Sequence, residues 1–355
     1  MSQNNLTILY AGLDIAKATL QLHLGGLSSS LPNDPSGYAR LRRRLSEAAA
    51  AQPGCQVQVI LEATGGYEAQ VVAALHAAGQ PLSVIQPSRA RSFARAQATH
   101  AKTDPIDAAL LADFGRRLQP APTPPPSAAQ SRLVMLVGRR SQLVAARVVE
   151  LNRAEHYSDS LLCKQSRAYL ALLERQITEC DRAIAAQLAA DAAMKARASR
   201  LRAVPGIGPV IAAILQAHLP ELGSLADGEV AALAGLAPYN CDSGPSQGLR
   251  FIRGGRVQVR CALYMAALSA IRHDQILREF YQRLRTAGKA KMVALTAVMR
   301  KLIVLLNRLL RNPHFQLRSS TAPSPVVAAS GAPAEPEKEG ALAEPEETLQ
   351  PAPAG

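Results

Sequence analysis

The sequence contains no tryptophan, and aromatic residues make up only 4% of its 355 positions. Its core must therefore be built from alanine, leucine, valine and isoleucine. The five cysteines are scattered without a C-x-x-C pair, which argues against a zinc site or a disulfide framework and suits a reducing compartment. Apolar runs of about 18 residues are also lacking, so we expect no membrane span, and the first residues do not resemble a secretory signal. Together these absences favour a cytoplasmic protein.

Acidic residues are scarce: there are 27 aspartates and glutamates against 40 lysines and arginines, a net charge of +13. Six of the glutamates and a single lysine lie in residues 319–355. Residues 1–318 therefore hold 39 basic and 21 acidic residues, a net charge of +18. An excess of this size favours a polyanionic partner, because each neutralised phosphate releases condensed counterions. The alternative is a basic protein that binds nucleic acid only incidentally.

Strands and helices alternate in the first part of the chain. Apolar patterns predict strands at residues 6–15, 18–24, 57–62 and 81–86 and helices at 67–79 and 103–118. This alternation indicates an α/β layer architecture, and we expect one domain over residues 1–118. The proline-dense segment 119–129 then predicts a stiff linker or a domain boundary.

Helical patterns dominate the rest of the chain. Residues 130–200 predict a long helical pair with one apolar stripe, made of Leu133, Leu136, Val137, Leu143 and Val144. The periodicity fits equally a coiled coil that sets the oligomeric state and a helical hairpin within one subunit. Residues 201–318 predict an all-α, strongly basic domain. Residues 319–355, rich in Pro, Ala, Ser and Glu, predict a disordered acidic tail.

Two acidic residues occupy unusual positions in the predicted strands. Asp14 lies inside an otherwise apolar strand, two residues after Gly12, and Glu62 ends the strand VQVILE before an A-T-G-G turn. A carboxylate in a strand is costly unless it faces a ligand, a cation or solvent. Ligands of open α/β sheets bind beyond the carboxyl ends of the strands, so we expect the two acids to converge there. An edge-strand carboxylate in solvent is the alternative for Asp14.

Asp104 and Asp107 begin the predicted helix, directly after Lys102, which we expect to contact nucleic acid. Their spacing puts both carboxylates on one helix face, and Mg²⁺ prefers carboxylate oxygens. Four acids from three elements are suited to holding two cations about 3.5–4 Å apart. The alternative is helix capping, with Asp104 before Pro105 as the N-cap and Asp107 in a capping box. The four acids together, in a basic protein, favour the magnesium site.

Three segments carry a family resemblance: YAGLDIAKATL, VILEATGGYE and HAKTDPIDAALLADF. They resemble the signature blocks of the DEDD-type transposases of insertion-sequence family 110, a group that includes the Piv-like site-specific DNA invertases. The resemblance implies a RuvC-like N-terminal domain with an RNase H-like fold and an acidic tetrad of Asp14, Glu62, Asp104 and Asp107. It also implies an enzyme that cuts and rejoins DNA with Mg²⁺ as its cofactor.

The basic C-terminal region contains a small-residue turn and a series of cations. Gly206 and Gly208 lie in a P-G-I-G turn between apolar helical stretches, typical of a helix-hairpin-helix element whose backbone amides hold a phosphate. A tight helical turn without DNA contact is the alternative. The cations expected to contact DNA are Arg250, Arg253, Arg256, Arg260, Lys289 and Lys291. A solvated helix face is the alternative for the lysines.

Ser243 lies between Asp242 and Gly244 in a loop rich in Gly and Pro. From the residues alone an ordinary turn is favoured, because no histidine is adjacent to take the serine proton. The blocks A-P-Y-N-x-D-S-G, R-G-G-R and R-x-A-L-Y-M-A resemble the C-terminal domain of the same transposase family. The resemblance implies that Ser243 is the catalytic serine, which forms a transient phosphoserine link to DNA. Ser246 is the residue most easily confused with it.

The combined prediction is a transposase that acts on DNA as a homodimer or homotetramer, since strand exchange must hold two duplexes at once. The resemblance adds a structured guide RNA, encoded by the element, as a candidate second partner. No membrane partner is expected. Three alternatives stay open: a site-specific DNA invertase, a metal-only nuclease in which Ser243 is structural, and a DNA-binding regulator without catalysis.

Overall fold

A computed structural model of the protein describes residues 7–97, 103–239 and 250–317. The first elements are β1 (Thr7–Ile15), β2 (Thr19–Leu24), β3 (Leu27–Pro32), α1 (Pro35–Ala50), β4 (Cys55–Glu62), α2 (Ala69–Ala77), β5 (Leu82–Ile85), α3 (Pro87–Ala96) and α4 (Asp104–Leu118). The later elements are α5 (Ala128–Ala154), α6 (Ser160–Ala190), α7 (Ala192–Arg202), α8 (Pro209–His218), α9 (Asp227–Leu233), β6 (Pro238–Tyr239), β7 (Phe251–Ile252), α10 (Val257–His273), α11 (Gln275–Thr286) and α12 (Lys291–Arg311). None of the helices in these described ranges is long and apolar enough to cross a membrane.

The first five strands form one mixed sheet in the order β3-β2-β1-β4-β5. β1 pairs in parallel with β4, and β4 with β5, whereas β2 runs antiparallel to both β1 and β3. The expected α/β architecture is confirmed, and the sheet is compatible with the expected RNase H-like fold. The apolar pattern did not predict β3, which reaches β2 through a two-residue turn at Gly25 and Gly26, with φ of +60° and +83°.

The sheet buries both of its faces, each under a different pair of helices. Leu13 and Ile15 of β1 lie in a buried cluster with residues of α1 and α2. Ile60 of β4 lies on the opposite face, in a cluster with residues of α3 and α4. Because successive strand residues point to opposite faces, Gly12 and Asp14 lie on the face that α4 covers.

Glycine allows α4 to lie directly against the sheet. A Cβ atom added to Gly12 would overlap the carbonyl oxygen of Ala108 and lie 2.6 Å from the nitrogen of Ala112. From the helix side, a Cβ atom on Gly115 would lie 2.6 Å from the side chain of Ile60. Side chains do not tolerate such distances, so any larger residue at Gly12 must push α4 away from β1.

The proline-rich segment 119–129 begins attached to the sheet. Thr123 donates its backbone N–H to the carbonyl oxygen of Leu82 over 2.7 Å, and its hydroxyl oxygen accepts the N–H of Val84 at 3.0 Å. These bonds run along β5, the last strand of the sheet. The start of the expected linker therefore covers this edge strand and supplies partners for its backbone groups.

The helices α5 and α6 form a hairpin within the chain. Leu133 of α5 shares a buried cluster with Ile184 of α6, and Leu143 shares another with Leu173. From Leu133 to Leu143 the chain advances along α5, while the partners on α6 move back from Ile184 to Leu173. The two helices are therefore antiparallel. Two ion pairs join the helices, each with 2.6 Å between nitrogen and oxygen: Arg140–Asp181 and Arg147–Glu174. The predicted apolar stripe thus packs inside one chain.

The helices from α7 to α12 pack on one another. α10 contacts α8, α11 and α12, and α12 also contacts α7 and α9. The expectation of an all-α region is wrong in one detail, because β6 and β7 form a short antiparallel ladder. Tyr239, Phe251 and Ile252 are residues that favour strands, which accounts for the ladder.

Replacing Gly12 by alanine is expected to lower the free energy of unfolding by about 1–3 kcal/mol, because the new Cβ atom has to displace α4. Denaturant unfolding of the full chain measures the change. Gly138→Ala is the matched control, because Gly138 lies in α5 with an open Cβ position. Alanine there should raise the free energy of unfolding by as much as about 1 kcal/mol. Wild-type stability of the Gly12→Ala variant would contradict the close packing of α4 on β1.

Candidate functional site

The four predicted acidic residues line one open cavity of about 780 Å³. Asp14 comes from β1, Glu62 from β4, and Asp104 and Asp107 from the first turn of α4. Asp104 is exposed, whereas the other three are half-buried. The fold therefore brings these four carboxylates, predicted from three separate segments, to the same cavity.

The register of the sheet explains why Asp14 and Glu62 meet. Leu13 pairs with Leu61 at the end of the parallel β1–β4 ladder, and each acid follows its leucine directly. Parallel strands end at the same edge of a sheet. Gly12 and Ile60, two residues earlier, face α4, so alternation turns both carboxylates toward the same side.

The first turn of α4 carries the other two acids, but neither caps the helix as the alternative interpretation required. α4 begins at Asp104, and its N-cap residue is Thr103, whose carbonyl oxygen accepts the N–H of Asp107 at 2.9 Å. The third helical residue, where a capping box needs its acid, is Ile106. Both carboxylates still lie where the helix dipole favours negative charge. Capping therefore does not account for this pair of acids.

The helix α3 adds two cations that the sequence pattern had not singled out. Arg91 and Arg95 line the same cavity as the four acids. Guanidinium groups bind phosphate in a bidentate manner, so they supply attraction for an anionic substrate beside the carboxylates. The available signal was the four-residue spacing in PSRARSFARA, which puts both arginines on one face of a helix.

The loop that follows Glu62 is folded around Glu68. One oxygen of the Glu68 carboxylate accepts the N–H and the hydroxyl of Thr64, both at 3.1 Å, and the N–H of Gly66 at 2.8 Å. Gly65 and Gly66 have φ of +72° and +112°, which glycine adopts at little cost. Thr64 lines the cavity. Glu68 is thus a positioning residue for one wall, and sequence reasoning missed it.

The lining fits Mg²⁺ by its chemistry, although the carboxylates are not gathered around one point. Mg²⁺ prefers carboxylate oxygens together with water and substrate phosphate. In the described part of the chain, no three Asp, Glu, His or Cys side chains form a cluster that could hold a metal ion. The acids instead surround a cavity with room for solvent and substrate. The residues that would hold Mg²⁺ are Asp14, Glu62, Asp104 and Asp107.

Two predicted site residues, Ser243 and Lys102, lie outside the described residues. The structure describes the residues on either side of the segment that contains Ser243. Tyr239 comes directly before residue 240, and Phe251 comes directly after Arg250. These two residues pair with each other in the β6–β7 ladder. We call residues 240–249, which lie between Tyr239 and Arg250 in the sequence, the serine segment.

Two of the four arginines expected to contact DNA form hydrogen bonds with other parts of the chain. Arg256 donates to both carboxylate oxygens of Glu221 at 2.7 Å and to the carbonyl oxygen of His218 at 2.9 Å. Arg260 donates to the carbonyl oxygen of Gly254 at 2.6 Å. Both side chains thus stabilise the fold around the start of α10.

The other predicted cations that the structure describes are exposed. Arg250 and Arg253 lie on either side of β7, and Lys289 and Lys291 lie between α11 and the start of α12. The guanidinium carbon of Arg253 is 4.7 Å from the centre of the Tyr239 ring, a cation–π contact. Exposed cations suit contact with phosphate, so nucleic-acid binding stays the prediction for these residues.

The P-G-I-G turn links α7 to α8 as expected. Gly206 has φ of +90°, and a Cβ atom there would lie 2.5 Å from the carbonyl oxygen of Ala266 in α10. Gly208 is the N-cap of α8, and its Cβ position is open. Packing therefore explains glycine at the first position but not at the second. DNA contact through this turn stays a prediction.

Arg256 lowers the pKa of two neighbours. The pKa of Glu221 falls mainly because its ionised carboxylate accepts hydrogen bonds from Arg256. Burial lowers the pKa of His218, and the positive charge of Arg256 lowers it further. A carboxylate whose pKa is depressed by folding stabilises the protein above its unfolded pKa, and this contribution is lost as the pH falls through the folded pKa. The Arg256–Glu221 pair should therefore weaken in acid.

Comparison with known proteins supplies two matches to family models. One, described as a transposase, matches residues 11–160, and the other, described as the transposase IS116/IS110/IS902 family, matches residues 198–282. The first match contains Asp14, Glu62, Asp104 and Asp107, and the second contains the segment with Ser243.

Relatives of the chain include both invertases and insertion-element proteins. The pilin gene-inverting protein of Moraxella lacunata is 26% identical over 311 residues, which cover 83% of this chain and 94% of the relative. An uncharacterized 44.8 kDa protein of insertion element IS116 from Streptomyces clavuligerus is 32% identical over 195 residues, or 51% of this chain and 47% of the relative. An uncharacterized 42 kDa protein of insertion element IS900 from Mycobacterium paratuberculosis is 27% identical, covering 81% of this chain and 90% of the relative.

The fold and these matches define a DNA-processing enzyme of the transposase class. The chain belongs to the IS116/IS110/IS902 family of transposases. The family resemblance drawn from the sequence blocks is thereby confirmed.

Arg256→Gln is expected to lower the free energy of unfolding by about 1–2 kcal/mol near neutral pH, because it removes charge-assisted hydrogen bonds to a partly exposed carboxylate. Arg253→Gln, three residues away and exposed, should change it by less than about 0.5 kcal/mol. The deficit of Arg256→Gln should shrink as the pH falls through the depressed pKa of Glu221, where its carboxylate becomes protonated and the ion pair is lost. Denaturant unfolding of both variants at neutral pH and in acid measures the difference in stability. A deficit of Arg256→Gln that does not depend on pH would contradict the role of the ion pair.

Proposed function

We propose that this transposase cuts and rejoins DNA with two separate chemical sites, an acidic Mg²⁺ site and a nucleophilic serine. The observation that carries the proposal is the shared cavity of Asp14, Glu62, Asp104 and Asp107. The proposal for Ser243 is supported by the family match over residues 198–282. In this account residues 1–118 form a RuvC-like domain, and residues 201–318 form the serine domain.

The acids and two arginines divide the work of the first site. The four carboxylates would hold Mg²⁺ through their oxygens, with the half-buried Asp14 and Glu62 anchored at strand ends. Mg²⁺ bound there would neutralise charge on the scissile phosphate and favour the ionised form of an oxygen nucleophile. Arg91 and Arg95 bring positive charge to the same cavity and favour the entry of a phosphate group.

Ser243 carries the covalent step. Its Oγ forms a bond to a DNA phosphorus while the bond from that phosphorus to a deoxyribose oxygen breaks. The proton that the serine loses ends on the leaving deoxyribose oxygen. One phosphoester bond replaces another, so a deoxyribose hydroxyl of a second strand can reverse the step and rejoin the DNA. Arg250 and Arg253, close to the ends of the serine segment, stabilise the negative charge of the phosphorane.

The remaining basic elements hold the DNA backbone. The helix-hairpin-helix turn contributes the open Gly208 at the start of α8, and the exposed Lys289 and Lys291 add point charges. Lys102, two residues before α4 in the sequence, is a further candidate for contact with the DNA backbone. Arg256 and Arg260 act mainly by stabilising the start of α10.

Transposition and site-specific inversion share this chemistry and differ in the DNA that flanks the site. Two of the relatives above come from insertion elements, which supports transposition. The pilin gene-inverting relative, matched over 94% of its length, supports inversion as the second candidate. The proposed active form is a cytoplasmic, nucleoid-associated homodimer or homotetramer, because two duplexes must be held together. A structured RNA encoded by the element is the proposed second nucleic-acid partner.

The serine step is tested by trapping a covalent intermediate. Full-length protein is incubated with Mg²⁺ and a nicked or mismatched DNA that carries the natural junction, and denaturation should leave a protein–DNA adduct. Ser243→Ala should abolish the adduct, whereas Ser246→Ala, the matched control in the same segment, should keep it. An adduct formed by the Ser243→Ala protein would rule out the serine mechanism. Cutting by that protein in Mg²⁺ would instead support the metal-only nuclease.

The acidic site is tested in the same assay with Asp107→Asn. Asp113→Asn is the matched control, because Asp113 lies in the same helix and pairs with Arg116 and Arg117 instead of lining the cavity. Asp107→Asn should reduce the rate of adduct formation by about 100-fold or more, since a charge that stabilises the transition state is lost. Asp113→Asn should keep nearly the wild-type rate. Full activity of Asp107→Asn would contradict the metal site and favour a role in folding.

A further inference from the structure

Aromatic side chains stand exposed on the β6–β7 ladder. Tyr239 is 40% exposed and Phe251 58% exposed, and the adjoining Ile252 and Val257 are 37% and 54% exposed. The chain has only five phenylalanines, eight tyrosines and no tryptophan, so two exposed rings at one place are a concentration of a scarce residue type. Exposed aromatic side chains that lie together on a surface suit contact with a binding partner.

The two rings share one face of the ladder with an arginine. Tyr239 and Phe251 are direct partners in the antiparallel register, which puts their side chains on the same face. The guanidinium carbon of Arg253 lies 4.7 Å from the centre of the Tyr239 ring, so it stacks on that ring. We call Tyr239, Phe251 and Arg253 the aromatic platform.

The chain behind the platform is held by backbone contacts. The N–H of Arg256 donates to the carbonyl oxygen of Leu233 at 2.7 Å, and Arg260 donates to the carbonyl oxygen of Gly254 at 2.6 Å. A Cβ atom on Gly255 would lie 2.8 Å from the same Leu233 oxygen, so the turn packs tightly on the end of α9. The platform is therefore ordered before binding, so little conformational entropy is lost there when a ligand binds.

Flat rings beside a cation match a nucleic-acid strand better than a protein surface. A strand offers a nucleobase to stack on the rings and a phosphate to pair with Arg253, and stacking tolerates any base because every base has a π-face. A protein partner would have to bury the charge of Arg253, which is costly without a matched acid. The net charge of +13 favours the polyanion as well.

We propose that the aromatic platform stacks an unpaired nucleobase of the DNA strand that is cut or exchanged. The inference rests on the proposed function, because strand exchange necessarily exposes unpaired bases. The serine segment lies between Tyr239 and Phe251 in the sequence, so both rings are close in sequence to Ser243. Tyr239 and Phe251 are positioning residues in this account, and neither of them reacts, whereas Arg253 keeps the phosphate-binding role proposed above.

The lack of tryptophan in the chain permits a direct test. Phe251→Trp introduces a single indole on the platform, and a nucleobase stacked on that indole quenches its emission. The full-length variant is titrated with a mixed-sequence single strand, with the corresponding duplex, and with the same duplex containing one bulged base. The single strand and the bulged duplex should quench the emission strongly, and the fully paired duplex weakly.

Tyr169→Trp is the matched control, because Tyr169 is 44% exposed on α6, outside the platform. Its emission should respond little to any of the three DNAs. Equal quenching of Phe251→Trp by single strand and paired duplex would overturn the proposal. Emission that changes with protein concentration and ignores DNA would also overturn it, and would assign the patch to contact between copies of the chain.

Binding affinity supplies a second readout that does not depend on the indole. Phe251→Leu keeps an apolar side chain but removes the ring, so it should reduce the preference for bulged over paired duplex by about 5- to 150-fold. Phe251→Tyr, which keeps a ring at this position, should keep the preference for bulged duplex. Tyr169→Leu, outside the platform, should leave that preference unchanged. An unaltered preference in Phe251→Leu would refute base stacking. These measurements can be made in a Ser243→Ala background, so failure of stacking and failure of the covalent step are distinguishable.

Discussion

The contact between Gly12 and the backbone of α4 is the constraint on which the acidic cavity depends. Without a side chain at this position, the helix lies on β1 with the Ala108 carbonyl against the strand. Gly115 repeats the close approach further along α4. The first turn of the helix therefore reaches the carboxyl end of β1, where Asp14 points to the same face. Two carboxylates on a helix and two on strands meet because two glycines remove the side chains that would separate them.

Sequence patterns predicted the local half of this arrangement. A lone carboxylate in an apolar strand drew attention to Asp14, and its convergence with Glu62 was expected because ligands of α/β sheets bind beyond the carboxyl ends of strands. β3 was not predicted because LSSSLP has little apolar alternation, although the Gly-Gly turn before it was a usable hairpin signal. Arg91 and Arg95 belong to the cavity through packing of α3 on α4, which is a tertiary property that periodicity does not report.

The basic residues also show that sequence patterns do not report tertiary contacts. Arg253 and Arg256 are three positions apart in one R-G-G-R block, and the sequence made them equal candidates for DNA contact. The structure separates them because Glu221, distant in sequence, accepts two hydrogen bonds from Arg256, whereas Arg253 lies exposed on the surface. Charge patterning therefore predicted a nucleic-acid partner for the whole protein, but the division into structural and exposed cations depends on long-range contacts.

The central claim is that the cavity beside β1 binds a divalent metal ion. Mn²⁺ takes the same oxygen ligands as Mg²⁺ and scatters X-rays anomalously, so it can be located directly. Crystals of the full chain grown with Mn²⁺ should give an anomalous peak bounded by Asp14, Glu62 and Asp107, and crystals of the Asp107→Asn variant should lose or weaken that peak. A peak elsewhere on the protein, or no peak in this cavity under conditions that support strand cutting, would contradict the account.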